Sequence, residues 1–169
     1  MILRKFQASD AENILKYAGD SDALKFLRWK GFSTLEEARA DIFGSYWSRP
    51  GIWAIELAEN DKVIGDIVVR LIHEHDKARV GYLLNRQFWG CGYAAEALSA
   101  VIRLCFEELR INRVEADHFA GNSASGRVME KCGMMREGVM AQAANVKGEF
   151  VDIVYYGITS EGYHGKKLQ

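Results

Sequence analysis

Two glycines, Gly90 and Gly92, flank Cys91 just before a run that reads as helix in "RQFWGCGYAAEAL". Glycine at a helix mouth removes the side chain that would hold another group off the backbone, and the amides of a first helical turn attract an anion. A phosphate is the natural occupant. The string from Gly90 to Ala95 also fits the G-x-G-x-x-A fingerprint of dinucleotide-binding loops, and Glu115 and Asp117 follow where a ribose-binding acid would stand. Three features oppose a dinucleotide. Asn85 to Trp89 separate the glycines from the apolar strand before them, the earlier strands read as antiparallel hairpins, and the residues after Asp117 supply one helix and two strands instead of several further β-α units. Cys91 has no His–Asp arrangement near it in sequence and reads as a small residue in a tight turn. In "HEHD", His73 and His75 would share one side of a strand, but no third ligand cluster accompanies them, so a charged hairpin tip is expected and no metal.

The elements that must position this loop follow from periodicity. The only proline, Pro50, followed by Gly51, divides a helical region from a stranded one. Before it, "ASDAENILKYAGDSDALKFL" and "STLEEARADIFGSYW" carry helix signals, the second capped by Ser33 or Thr34 with Glu36 or Glu37 reaching back. After it, "IWAIEL", "VIGDIVVRLI" and "ARVGYLL" are β-branched or alternating runs split by turn residues. Ala94, Ala97, Leu98, Val101, Ile102, Cys105, Phe106 and Leu109 then repeat at the spacing of one buried helical face. "NRVEADHF" follows as a strand, "SASGRVMEKCG" as a short helix stopped by Gly133, and "REGVMAQAANV" with "EFVDIVYYGI" as a closing strand pair around Gly148. The order predicts an α/β (α+β) fold with a mixed, mostly antiparallel sheet flanked by helices.

The chain of 169 residues is expected to form one domain over 1–169, with 49% hydrophobic and 27% charged residues. Twenty-two basic residues stand against 23 acidic ones, scattered, so no concentrated basic face invites nucleic acid. No apolar run approaches the roughly 18 residues of a membrane span. The opening turns polar after three residues, unlike a secretory signal. Cys91, Cys105 and Cys132 are an odd number without C-x-x-C spacing, which fits a reducing cytoplasm. A monomer or a homodimer is expected.

The wider string "GYLLNRQFWGCGYAAEAL" resembles the coenzyme A loop of the GNAT superfamily of N-acetyltransferases, Q/R-x-x-G-x-G/A, with Gln87, Gly90 and Gly92 in place. "NSASGRVMEKCGM" resembles the downstream motif of the same superfamily through Asn122, Ser125, Glu130, Lys131, Gly133 and Met134. The closing "KGEFVDIVYYGI" and the opening "LRKF" are similar to the RimJ/RimL-like branch, which acetylates protein N-termini and other amines. The resemblance implies acetyl-coenzyme A as co-substrate and a GNAT fold. The amides of Gly90, Cys91, Gly92, Tyr93 and Ala94 would face the pyrophosphate, and the pantetheine arm would pair with Tyr82, Leu83 and Leu84. The amide of Leu83 or Leu84 would polarise the thioester carbonyl. Asn122 would hold the pantetheine, with a helix N-cap as its structural role, and Lys131 joins the coenzyme-binding set. The acceptor implied is a primary amine, on a ribosomal or other protein N-terminus or on a small molecule.

Transfer from a thioester to an amine needs a base for the amine proton and an acid for the leaving thiolate. Where many relatives carry an acidic tyrosine this chain has Met129, so the resemblance moves the acid role to Ser125. Where Rim-type proteins often carry a glutamate on the strand before the loop, this chain has Arg79, which is no base at neutral pH. Glu56, Asp117 and His118 lie on neighbouring strands as candidate bases acting through water. The missing base and Met129 also admit a non-catalytic acyl-coenzyme A sensor, and a dinucleotide-binding protein is the more remote alternative. Of the aromatics Trp29, Phe32, Tyr46, Trp47 and Trp53, mostly core by type, the resemblance puts Trp29 or Trp47 on the acceptor wall. At most one of Tyr155 and Tyr156 faces the site.

Overall fold

A computed structural model describes residues 1–27, 29–44 and 47–167; Tyr46 lies outside them. The strands are β1 (Ile2–Arg4), β2 (Ile52–Glu56), β3 (Val63–Ile72), β4 (Lys77–Leu84), β5 (Arg113–Phe119), β6 (Met135–Val146) and β7 (Glu149–Thr159). The helices are α1 (Ala11–Ala18), α2 (Leu35–Gly44), α3 (Tyr93–Arg103), α4 (Ser123–Lys131) and α5 (Ser160–Lys167). Hydrogen bonding orders the strands β1-β2-β3-β4-β5-β7-β6. The β1–β2, β2–β3, β5–β7 and β6–β7 pairs are antiparallel, and β4–β5 is parallel. A dinucleotide fold would place the glycine-feeding strand in an all-parallel sheet, which this mixed order excludes.

The chain divides into two compact units, one of residues 1–68 and 82–97, the other of residues 69–81 and 98–169. In the first, α1 and α2 bury Ile14, Tyr17, Ala18, Ala38 and Ile42 against Ile52 and Ala54 of β2 and Val63 of β3. Each fully buried aliphatic side chain of this kind contributes about 1.5–3 kcal/mol. Trp47 is buried in the same cluster, 5.3 Å from the Phe6 ring and 5.2 Å from Phe32. Trp29 packs on Phe32 at 4.8 Å but keeps 40% of its surface exposed.

The helix predicted across 8–27 is shorter than its pattern. Only Ala11–Ala18 is α-helical, after a 3-10 turn at Ala8–Asp10. Asp20 accepts the amides of Asp22 (2.9 Å) and Ala23 (3.4 Å), a local bond that competes with helix. The end of α1 is closed by Phe32, whose amide donates to the Ala18 carbonyl at 2.8 Å. Helix α2 starts as predicted: Thr34 Oγ1 accepts the Glu37 amide, and the Glu37 carboxylate accepts the Ser33 and Thr34 amides.

In the second unit, β5 pairs with β7 from Arg113↔Thr159 to Phe119↔Ile153. The helical stripe of α3 continues into a π turn at Leu104–Glu108, where Cys105 and Phe106 are buried. His73 and His75 sit exposed on a 3-10 turn, not side by side on a strand, because Asp76 takes a left-handed φ of 50° and reverses the chain. Periodicity missed two elements. β1 is three residues long, and α5 is a polar segment whose Tyr163 stacks on Phe106 at 4.9 Å.

Candidate active site

The glycine loop belongs to the first unit. Strand β4 ends at Leu84, and the buried Asn85 turns the chain: its amide donates to the Ile64 carbonyl at 2.8 Å and its Oδ1 accepts the Gln87 amide at 3.0 Å. Trp89 Nε1 donates back to the Leu84 carbonyl at 3.0 Å. These bonds fold the polar stretch that separates strand from glycines into a 3-10 turn at Arg86–Phe88, which Arg86 ties to Asp22. Gly90 and Gly92 then take φ of 77° and 92°, and a Cβ on either would meet open space. The first α3 bond runs from the Glu96 amide to the Gly92 carbonyl at 3.0 Å, so the helix begins at the second glycine. Gly92, Tyr93 and Ala94 thus form the mouth of a helix N-terminus, where amides favour an anion. Cys91 is exposed between the glycines and Gln87 lies exposed beside them.

Tyr82 and Leu83 are half-buried and Leu84 is buried at the end of β4. Strand β3 comes very close there. A Cβ on Gly65 would lie 2.2 Å from the Leu83 carbonyl oxygen and 3.0 Å from the Leu84 Cα, so only glycine permits this approach. Glu56 is buried at the end of β2 and ion-paired with Arg4, which also grips Asp10 in a bidentate pair at 2.8 and 2.9 Å. Those acids hold the Arg4 guanidinium above its ordinary range, Asp10 most strongly.

The other candidates belong to the second unit. Asp117 and His118 are consecutive on β5 and so point to opposite faces. Asp117 is opposite Tyr155, and Arg79 reaches both, bonding the carboxylate at 3.1 Å and lying 5.8 Å from the Tyr155 ring. His118 is buried, with Nδ1 2.8 Å from the Phe119 carbonyl, which makes Nδ1 the protonated nitrogen. Its Nε2 faces Gly126 of α4, and its ring packs on Tyr156 at 5.7 Å. The Tyr156 hydroxyl donates to Glu130 at 2.9 Å, and burial first, then that acid, pushes the phenol above its ordinary value.

Asn122 caps α4, its Oδ1 accepting the Ser125 amide at 3.3 Å. Ser125 is half-buried in the first turn, Met129 is buried, and Lys131 is exposed at the end of the helix. Each expected base therefore has a defined neighbour already: Arg4 for Glu56, Arg79 for Asp117, and a backbone carbonyl for His118.

One titratable group escaped the sequence reading. Asp66 lies buried in the middle of β3. Burial pushes its carboxyl up to about 7, and the Tyr17 side chain pulls the other way. The available signal was an acid inside the otherwise apolar "VIGDIVV"; a buried carboxyl without a cation is uncommon enough to mark.

Residues 1–135 match the family model described as "Acetyltransferase (GNAT) domain". The chain is 31% identical over 163 residues to "Uncharacterized N-acetyltransferase YoaA" of Bacillus subtilis (strain 168), covering 94% of this chain and 92% of the relative. It is 35% identical over 91 residues, 54% of this chain and 50% of the relative, to "Putative ribosomal N-acetyltransferase YdaF" of the same strain. Among solved structures, an acetyltransferase (GNAT family) from Bacillus anthracis superimposes with a TM-score of 0.86 at 30% identity, covering 94% of both chains.

Proposed function

This chain belongs to the GNAT acetyltransferase family, and from that premise we propose that it moves an acetyl group from acetyl-coenzyme A to a primary amine by direct attack. The observation that carries this reading is the glycine mouth of α3: left-handed φ at Gly90 and Gly92, with open space where side chains would be. A pyrophosphate can approach the backbone there and meet the amides of Gly90 through Ala94. Gln87 stands beside that loop. Tyr82, Leu83 and Leu84 carry the pantetheine arm, the Leu83 or Leu84 amide polarises the thioester carbonyl, and Asn122 and Lys131 complete the coenzyme contacts. Ser125 returns a proton to the departing thiolate. The name of YdaF and the RimJ/RimL-like closing strands favour a protein N-terminus over a small amine as acceptor.

The test couples thiol release to an amine panel. Acetyl-coenzyme A with a peptide N-terminus should release thiol faster than with a polyamine or a free amino acid. Gly92→Val forces a branched side chain onto a φ of 92° and blocks the approach of the phosphates. That variant should lose the thermal shift that coenzyme A produces in the wild type, and NAD should produce none in either. A shift with NAD, or an unimpaired Gly92→Val protein, would refute the assignment.

A further inference from the structure

The amine needs a proton acceptor, and the first unit holds a buried carboxyl that no ion pair claims among the described residues. Three carboxyls are buried there: Asp10, Glu56 and Asp66. Asp10 and Glu56 both hold Arg4. Asp66 stands in the same cross-strand row as Arg4, since Arg4 is opposite Ala54 and Ala54 is opposite Asp66. Two strand spacings, roughly 10 Å, separate the backbones of Arg4 and Asp66, and the small Ala54 lies between them.

From α1 comes Tyr17, whose side chain favours the ionised form of the Asp66 carboxyl. From β1 and β2 come Arg4 and Glu56, which pair with each other, Arg4 also holding Asp10 of the turn before α1. Helix α2 contributes apolar Ala38 and Ile42 to the surrounding cluster, and β4 contributes Leu83. Gly65, the residue before Asp66, lets β3 press against the backbone of Leu83 and Leu84. Those are the residues to which the proposed function assigns the thioester.

We propose that Asp66 accepts the proton lost by the attacking amine. The inference rests on the acetyl-transfer reading above. The amine nitrogen bonds to the acetyl carbonyl carbon, and the carbon–sulfur bond breaks. The nitrogen's proton passes through one water to the Asp66 carboxylate, and the thiolate takes its proton from the acid. A carboxyl that titrates near neutrality suits this work, because it is ionised often enough to accept a proton and basic enough to hold one.

The experiment is the pH profile of kcat at saturating amine. In the wild type kcat should rise with pH through an inflection near 7 and then level off. Asp66→Asn should lose that inflection and fall about 10²-fold at pH 7.5, with coenzyme A affinity unchanged, and Asp66→Glu should restore part of the rate. Tyr17→Phe removes a hydroxyl that favours the ionised carboxylate, so it should move the inflection to higher pH. That variant decides the matter if Asp66→Asn does not fold. An inflection near 7 that survives in Asp66→Asn, or one that Tyr17→Phe leaves in place, overturns the role of Asp66 while leaving acetyl transfer intact. A wild type that releases no thiol with any amine overturns the acetyl-transfer reading itself, and this inference with it.

Discussion

At Ser125 a hydroxyl stands one turn from Met129, and only the serine can donate a proton. The Ser125 amide donates to the Asn122 cap, and that bond remains available in Ser125→Ala. Alanine is also the better helix former. Turnover should therefore fall by about 10²-fold or more while coenzyme affinity and α4 persist. Steady-state kinetics beside a coenzyme titration separate the two effects, and near-normal turnover would assign the hydroxyl to structure alone. Residue types were readable at this scale, but partners were not. Glu56 and Asp117 look like free carboxylates in sequence; folding sets each beside an arginine, one 52 positions away and the other across β4 and β5.

Helix α4 shows how an element is held by what it lacks. Gly126 sits in its interior, where alanine usually adds about 1 kcal/mol of helix stability. Here a Cβ would fall 2.9 Å from His118 Nε2 and 3.0 Å from the Tyr156 hydroxyl. Both rings are buried and cannot swing away cheaply. Gly126→Ala should therefore destabilise the protein by about 1–3 kcal/mol, the usual cost of overpacking, and lower its urea midpoint. A midpoint at or above that of the wild type would show that the rings yield. Long periodic elements such as α3 were legible because many residues vote for one face. The 3-10 turn at His73–His75 and the end of α1 were not, because a single left-handed residue or a single Asp20 bond decides them.

For the whole molecule, Asp66 makes stability depend on pH. Its folded-state value near 7 lies above the ordinary 3.8, so between about pH 4 and 7 the folded protein binds more protons than the unfolded chain. Stability contributed by this group is fully present below pH 4 and is lost as pH rises through 7, by about 4 kcal/mol in all. Asp66→Asn carries no proton to lose. The melting temperature of the wild type should fall relative to that variant between pH 5 and pH 8 and run parallel to it above. Parallel melting curves throughout would mean that the carboxyl titrates normally.

The sequence alone determined what depends on local pattern. The order β2-β3-β4-loop-α3-β5-α4-β6-β7 follows from periodicity and turn residues. The glycine mouth follows from two residues that tolerate left-handed φ, and the family follows from two motifs in the right order. Tertiary structure decided everything that requires distant residues to meet. It inserted β7 between β5 and β6, and it brought a three-residue β1 to the sheet edge. It also closed Arg4 around Asp10 and Glu56 and buried Asp66 within β3. The physical reason is that a side chain's type is written in one position, whereas its burial and the charges beside it are set by segments distant in sequence. The acid and base properties on which catalysis turns belong to that second kind of information.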